Sequence, residues 1–160
     1  MEIEFTYGEK EFYKGIRSAL LKLKKIRIFD LALFTASFIL SFYLDSTLGV
    51  ILRIVSVIGL SFLVYQLFGY PRKLYKSKEE FKSEYNIYII EDGLAIINDG
   101  LRRDFAFSEF KNIKEDDEFF YFEEESGFVF LPKRAFNSEQ LEKMNSILSK
   151  YINKDKKKKK

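Results

Sequence analysis

The sequence predicts an α+β protein in which a two-helix transmembrane hairpin precedes a small antiparallel sheet or barrel that is closed by a C-terminal helix. Three observations predict this class. A long apolar block fills residues 28–70, short alternating apolar segments follow residue 85, and an amphipathic segment follows residue 137. The polar flanks of the apolar block contain enough residues for one small domain and too few for two.

Residues 1–8 predict a short strand. Ile3, Phe5 and Tyr7 alternate with polar residues, which is the period-two pattern of a half-buried strand. A strand of this length is not stable alone, so it must pair with a strand that follows the apolar block. This pairing would bring both polar flanks to the same side of a membrane.

Residues 9–27 predict a basic amphipathic helix. Its apolar stripe consists of Phe12, Ile16, Leu20 and Leu23, and basic residues occupy its other faces. Two interpretations stay open. The helix either lies at an anionic membrane surface with its apolar face in the interface, or packs on the small domain as an ordinary surface helix.

The apolar block divides into two predicted spans, residues 28–44 and 48–70. The first span forms roughly 25 Å of helix, the short limit for a bilayer core of about 30 Å, whereas the second span is long enough to cross it. Asp45, Ser46 and Thr47 leave room only for a tight turn, so the two helices must be antiparallel neighbours. The alternative is a buried helical pair inside a soluble domain.

Basic residues flank the hairpin on both sides, in residues 22–27 and 72–78, whereas the turn carries only Asp45. Basic residues close to the ends of spans mark the cytoplasmic side of a membrane. Both termini are therefore expected in the cytoplasm, with residues 71–84 as a basic linker. Pro71 directly after the second span is typical of a helix end.

Arg53 lies inside the second predicted span. An unpaired charge at that depth costs roughly 2 to 3 kcal/mol, so Arg53 either pairs within a helical bundle or extends toward the outer headgroups or Asp45. Its helical stripe also contains Gly49, Ser56 and Gly59. Small residues on the first span are Ala32, Ala36, Ser37 and Ser41. Such faces allow close helix packing and self-association.

Residues 85–152 complete a set of about seven short strands and end in a helix. Asp92-Gly93 and Asp99-Gly100 separate apolar runs, which is a strong hairpin signal. Asn137 and Gln140 have the spacing of a capping box. The apolar stripe of the helix consists of Leu141, Met144, Leu148 and Tyr151. A helix of this kind can cover the open end of a curved sheet or barrel.

Three segments carry a family resemblance: YNIYIIEDGL at residues 85–94, FSEFKNI at 107–113 and FLPKRAF at 130–136. Together with the preceding strand and hairpin, they make the chain similar to the bacterial YcxB-like family. The resemblance implies a membrane protein whose residues 85–152 form a pleckstrin-homology-like domain, and it implies no particular activity. The Lys-rich tail, residues 153–160, departs from the family pattern.

The chain contains no Cys and no His, which removes the commonest metal ligands, general base and thiolate nucleophile. We therefore expect no enzymatic activity, no cofactor and no metal site. Acidic turns at residues 115–118 and 123–125 could bind a divalent cation, but acidic turns usually keep strand edges soluble. Aromatic residues on strands are more typical of a core than of nucleic-acid binding, which is not expected.

Arg102, Arg103, Lys133 and Arg134 would form a site for phosphate or phospholipid headgroups if the strands that carry them are neighbours. In the other interpretation these four side chains are simply solvated. The lysine tail would add attraction to anionic lipid.

The leading hypothesis is a non-enzymatic protein of the cytoplasmic membrane, in which a two-span anchor presents a cytosolic interaction or regulatory domain. Its partners would be the lipid bilayer and either a second copy or another membrane protein. One alternative is a sensor that binds anionic phospholipid headgroups through the basic patch. Another alternative is an accessory subunit of an exporter or of an immunity or stress-response system.

Overall fold

The computed structural model describes residues 1–23, 26, 28–44, 46–125 and 127–152. Within these ranges the fold is α+β, with two antiparallel sheets and a C-terminal helix. The strands are β1 (Glu2–Phe5), β2 (Tyr85–Ile89), β3 (Gly93–Asn98), β4 (Leu101–Ala106), β5 (Asn112–Glu115), β6 (Phe119–Glu123) and β7 (Phe128–Pro132). The α-helices are α1 (Glu9–Lys22), α2 (Ile28–Leu40), α3 (Thr47–Val64), α4 (Tyr70–Ser77) and α5 (Ser138–Ile152).

The first sheet has the order β1–β2–β3–β4 and contains the N-terminal strand. β1 pairs antiparallel with β2, with Ile3 opposite Ile87, and the N-terminal ammonium donates a hydrogen bond to the Ile89 carbonyl at 2.9 Å. The predicted pairing of the first strand with a strand beyond the apolar block is confirmed. Helices α1 to α4 are therefore an insertion between two neighbouring strands of one sheet.

The second sheet has the order β5–β6–β7, and its central strand carries much of the core. All five residues of β6 are buried, and its four aromatic residues, 119–122, are each at most 2% exposed. A strand buried on both faces needs cover from other elements. α1 packs against β7 and α5 packs against β5, so helices contribute this cover.

The apolar face of α1 is buried against the core formed by the sheets, as predicted by the interpretation of this segment as a surface helix packed on the small domain. Phe12 and Ala19 are fully buried, and Ile16 is 4% exposed. Gly15 lies so close to the Phe130 ring that a Cβ atom at this position would be 2.5 Å from the ring carbon Cδ2. The basic residues of α1 remain on its other side.

Pro71 does not end the second long helix, contrary to the prediction. A continuous helix runs from Thr47 to Ser77, with a π-helical turn at Tyr65–Gly69. Proline lacks an N–H, and in a regular helix its ring collides with the carbonyl four residues earlier. The π-helical turn directly before Pro71 is wider, and in it the Tyr70 N–H bonds to the Tyr65 carbonyl. This wider turn changes the distance between the proline ring and the preceding carbonyl groups. The predicted linker over residues 71–84 is therefore helical as far as Ser77.

α4 is also fixed to the domain. The Tyr75 ring packs against Phe12 with ring centroids 5.2 Å apart and against Tyr13 at 5.9 Å. Pro71 is buried, and the guanidinium group of Arg17 lies over the Phe68 ring at 5.2 Å. These contacts join the long helix to α1 and, through α1, to the sheets.

Candidate functional site

The surface of the α2–α3 pair is apolar and exposed. No residue of α2 is buried, and only 17% of the most apolar window of the Thr47–Ser77 helix is buried. Among the large apolar side chains of residues 28–64, those that are at least 60% exposed are Ile28 75%, Phe29 70%, Leu40 60%, Tyr43 82%, Leu48 60% and Ile58 64%. An apolar surface of this extent marks a contact with lipid or with another protein.

Thr47–Ser77 is, in the described part of the chain, the one helix that is long and apolar enough to cross a membrane. The helical segment Ile28–Tyr43 is apolar but shorter. At about 1.5 Å per residue the long helix extends for roughly 46 Å, and the short segment for roughly 24 Å. The long helix therefore exceeds the thickness of a bilayer core, about 30 Å.

The glycine stripe of α3 faces α2. A Cβ atom at Gly59 would lie 2.5 Å from Cε1 of Phe34, and one at Gly49 would overlap the Leu44 carbonyl oxygen. Ser56 between them is 1% exposed. This face is thus occupied within the hairpin and is not free for self-association. On α2, Ala32 and Ala36 remain exposed.

Arg53 binds the end of the first helical segment. Its Nη2 atom donates to the Ser41 carbonyl at 2.9 Å, and its guanidinium group lies 4.5 Å from the centre of the Phe42 ring. Because helix C-termini carry partial negative charge and unpaired carbonyl groups, this contact compensates part of the cost of an arginine in the apolar block. Asp45, the predicted partner of Arg53, lies outside the described residues.

Ion pairs within the domain engage three of the four predicted anion-binding residues. Arg102 pairs with Asp104 at 2.9 Å, Lys133 with Glu115 at 2.7 Å, and Arg134 with both carboxylate oxygens of Glu11 at 2.5 and 2.6 Å. Arg102 and Arg103 follow one another on β4, so their side chains point to opposite faces of the first sheet. Lys133 and Arg134 follow β7 of the second sheet. An anion site formed by all four remains a prediction.

A second basic surface lies between α1 and α4, at the polar C-terminal end of the long helix. It is a groove of 940 Å³. Its basic residues are Lys10, Lys14, Arg17, Arg72 and Lys76, and its one acidic residue is Glu9. The sequence carried a signal for this groove, since these basic residues recur at helical spacing, but the groove becomes visible only once residues 71–77 are known to be helical.

The acidic turn after β5 holds α1 against the second sheet. Asp116 accepts hydrogen bonds from Ser18 Oγ at 2.8 Å, from the Tyr121 hydroxyl at 2.7 Å, and from the backbone N–H groups of Glu118 and Phe119 at 3.0 and 2.9 Å. Burial alone would raise the pKa of Asp116, but these hydrogen bonds together lower it. In the described ranges no group of three or more acidic residues could hold a metal ion.

We expect Asp116→Ala to lower the free energy of unfolding by about 2 kcal/mol at pH 7, because donors from Ser18 and Tyr121 lose their charged acceptor. A carboxyl group whose pKa is lower in the folded than in the unfolded protein stabilises the fold fully at a pH above its ordinary pKa, which is about 3.9 for Asp. This stabilisation is lost as the pH falls through the pKa of the folded protein. The difference from wild type should therefore shrink below about pH 4. Urea unfolding at pH 7 and at acid pH measures it. Asp117→Ala, at the exposed neighbouring position, is the control, and an equal loss there would contradict the account.

The comparison with known proteins gives one family. No curated protein and no solved structure matches the chain significantly. The family described as YcxB-like protein matches residues 91–148. This region begins in the turn between β2 and β3, ends within α5, and contains two of the three segments that carried the resemblance, 107–113 and 130–136. The predicted resemblance to the YcxB-like family is thus confirmed over residues 91–148.

Proposed function

We propose that the protein is an integral protein of the cytoplasmic membrane, in which α2 and α3 form a two-span anchor and the sheets with α5 form a cytosolic interaction or regulatory domain. The observation that carries this proposal is the exposure of apolar side chains around both helices. Burial of one large apolar side chain contributes about 1.5 to 3 kcal/mol. Contact with water over this whole surface would be correspondingly costly, and lipid removes that cost.

The lengths of the two helices support the proposed anchor to different degrees. Residues 47–69 correspond to roughly 34 Å of helix, enough for a core of about 30 Å. The segment Ile28–Tyr43 is shorter, and local thinning of the bilayer accommodates such a mismatch at a modest cost. The backbone of both helices is hydrogen-bonded internally, which the interior of a membrane requires.

The position of the anchor in the fold supports its orientation. Because β1 and β2 are neighbours in one sheet, the chain must leave and re-enter the domain on the same side of the membrane. The basic groove between α1 and α4 lies at this side, and basic residues mark the cytoplasmic face. We therefore infer that both β1 and α5 are cytoplasmic.

We infer further that the cytosolic part is pleckstrin-homology-like. A four-stranded and a three-stranded antiparallel sheet with one C-terminal helix support this inference. The anchor would then be inserted between the first two strands, and the unbroken helix α3–α4 would hold the domain at a fixed distance from the membrane. A fixed domain suits a module that presents a surface to the bilayer, to another membrane protein or to a second copy.

Extraction of membranes with alkaline carbonate tests this function. The wild-type protein should stay in the membrane pellet. Val55→Lys/Ile58→Lys, at two exposed positions of α3, should strongly reduce the amount in the pellet, since each lysine costs about 2.5 to 3.5 kcal/mol at the centre of a span. Val55→Leu/Ile58→Leu is the matched control. A wild-type protein released by carbonate, or a double-lysine variant that is folded and equally abundant in the pellet, would rule out the anchor.

A further inference from the structure

A cavity of 240 Å³ lies between the two sheets, lined by their edge strands β4 and β7. It corresponds to about eight water volumes, which is below the size of a typical drug-binding site. Much of its wall is aromatic, from Tyr7, Phe12, Phe81, Phe105, Phe128 and Phe130. Such a cavity suits the flat or apolar body of a small molecule.

Three of the polar residues that line the cavity, Tyr85, Asn98 and Arg103, share one face of the first sheet. Tyr85 lies opposite Asn98, and Arg103 lies opposite Ile96 in the strand register, and all four residues line the cavity. Asn98 uses its amide nitrogen to bind Ser83 and the Glu84 carbonyl. Arg103 and Tyr85 thus remain as the hydrogen-bond donors on this face that a ligand could reach.

The charge of the cavity is set by Arg103. Lys78 and Glu80, which also line it, form an ion pair at 3.0 Å and cancel one another. Among the described residues Arg103 forms no ion pair, although it is close enough to Glu124 to oppose the rise that burial causes in the pKa of that carboxyl. Its neighbour Arg102 on the opposite face is paired with Asp104. The hydroxyl of Tyr85, like that of any tyrosine, is protonated and can donate a hydrogen bond at neutral pH, and burial, chiefly, raises its pKa further. The cavity therefore combines the guanidinium group of Arg103, the hydroxyl donor of Tyr85 and a largely aromatic lining.

We propose that this cavity binds a small organic carboxylate with an apolar or aromatic body. The carboxylate binds the planar guanidinium of Arg103, which matches its geometry and charge, and accepts a hydrogen bond from Tyr85. The body packs on the aromatic wall. Lys78 and Phe81 belong to the segment that directly follows α4. The ligand would therefore contact both sheets and the segment at the C-terminal end of the long helix. The site does not depend on the membrane anchor.

Ligand-observed fluorine NMR tests the site, with 4-fluorophenylacetate as the probe and the purified full-length protein in detergent micelles. Binding above that to empty micelles is expected for wild type, and binding of the neutral 4-fluorophenylacetamide should be at least tenfold weaker. Arg103→Gln should weaken binding of the carboxylate at least tenfold, and Tyr85→Phe about threefold. Arg102→Gln, one residue away on the opposite face, should bind as wild type does.

Each contrary result overturns the proposal. Equal binding of carboxylate and amide would show that Arg103 does not recognise charge, and unchanged binding by Arg103→Gln would place the probe elsewhere. Absence of binding to wild type beyond the micelle background would exclude this ligand class. Thermal unfolding of both arginine variants checks that they are equally folded. Tyr85→Phe, which keeps the partly buried ring, tests the site if Arg103→Gln is unstable.

Discussion

Gly15→Val should lower the free energy of unfolding by about 3 kcal/mol and the melting temperature by roughly 6 to 12 °C. A Cβ atom at this position would lie 2.5 Å from Cδ2 and 2.9 Å from Cζ of Phe130. That ring is 5% exposed and is enclosed by Tyr7, Phe12 and Phe119, with ring centroids 4.9 to 5.7 Å away. The ring borders the cavity between the two sheets, but these three aromatic rings hold it in position, so we expect α1 to move away from the second sheet.

Thermal unfolding of the purified protein, followed by near-ultraviolet circular dichroism of its tyrosines and phenylalanines, measures this effect. Gly127→Val is the matched control, since a Cβ atom at Gly127 meets no atom within 4 Å. The slightly better helix propensity of valine relative to glycine is worth only a few tenths of a kcal/mol and does not offset the collision. Equal melting temperatures for the two variants would show that α1 is not packed on Phe130.

Gly49→Val should disrupt the helical hairpin and reduce the amount of protein in the membrane several-fold. A Cβ atom at Gly49 would overlap the Leu44 carbonyl oxygen and lie 3.0 Å from the Ser41 carbonyl oxygen. Both obstacles are backbone atoms, which cannot rotate away as a side chain can. The first turn of α3 would therefore separate from the end of the preceding helical segment, and Arg53 would lose its contact with Ser41.

Immunoblots of the membrane fraction measure the amount of each variant at equal expression. Thr47→Val is the control, because it changes an exposed side chain at the same end of α3 and adds no bulk. Comparable amounts of the Gly49 and Thr47 variants would contradict the hairpin geometry.

Local sequence signals were sufficient for much of the sheet and for α5. Asp99 and Gly100 adopt positive φ angles of 48° and 73° in the turn between β3 and β4, as Asp-Gly in a hairpin requires. Asn137 and Gln140 exchange reciprocal hydrogen bonds at 2.8 and 2.9 Å, which confirms the predicted cap of α5. Each of these features depends on residues that are close in the chain.

Tertiary contacts decided the features that sequence reasoning missed. Arg134 and Glu11 are 123 positions apart, and no local pattern indicates that one neutralises the other. Pro71 was expected to end a helix, but contacts of Phe68 and Tyr75 with α1 hold the helix together across it. The cavity at Arg103 is lined by residues from four separate parts of the chain. The charge of this cavity could not be predicted before the ion pairs of Arg102, Lys78 and Glu80 were known.

The most direct test of the two-span anchor is the side of the membrane on which its turn lies. The chain contains no Cys, so Ser46→Cys in the turn and Ser138→Cys at the start of α5 each introduce one thiol at an exposed position. In intact spheroplasts a membrane-impermeant maleimide should label Ser46→Cys and leave Ser138→Cys unlabelled, and after disruption it should label both. Labelling of Ser138→Cys in intact spheroplasts, or of Ser46→Cys only after disruption, would contradict the account.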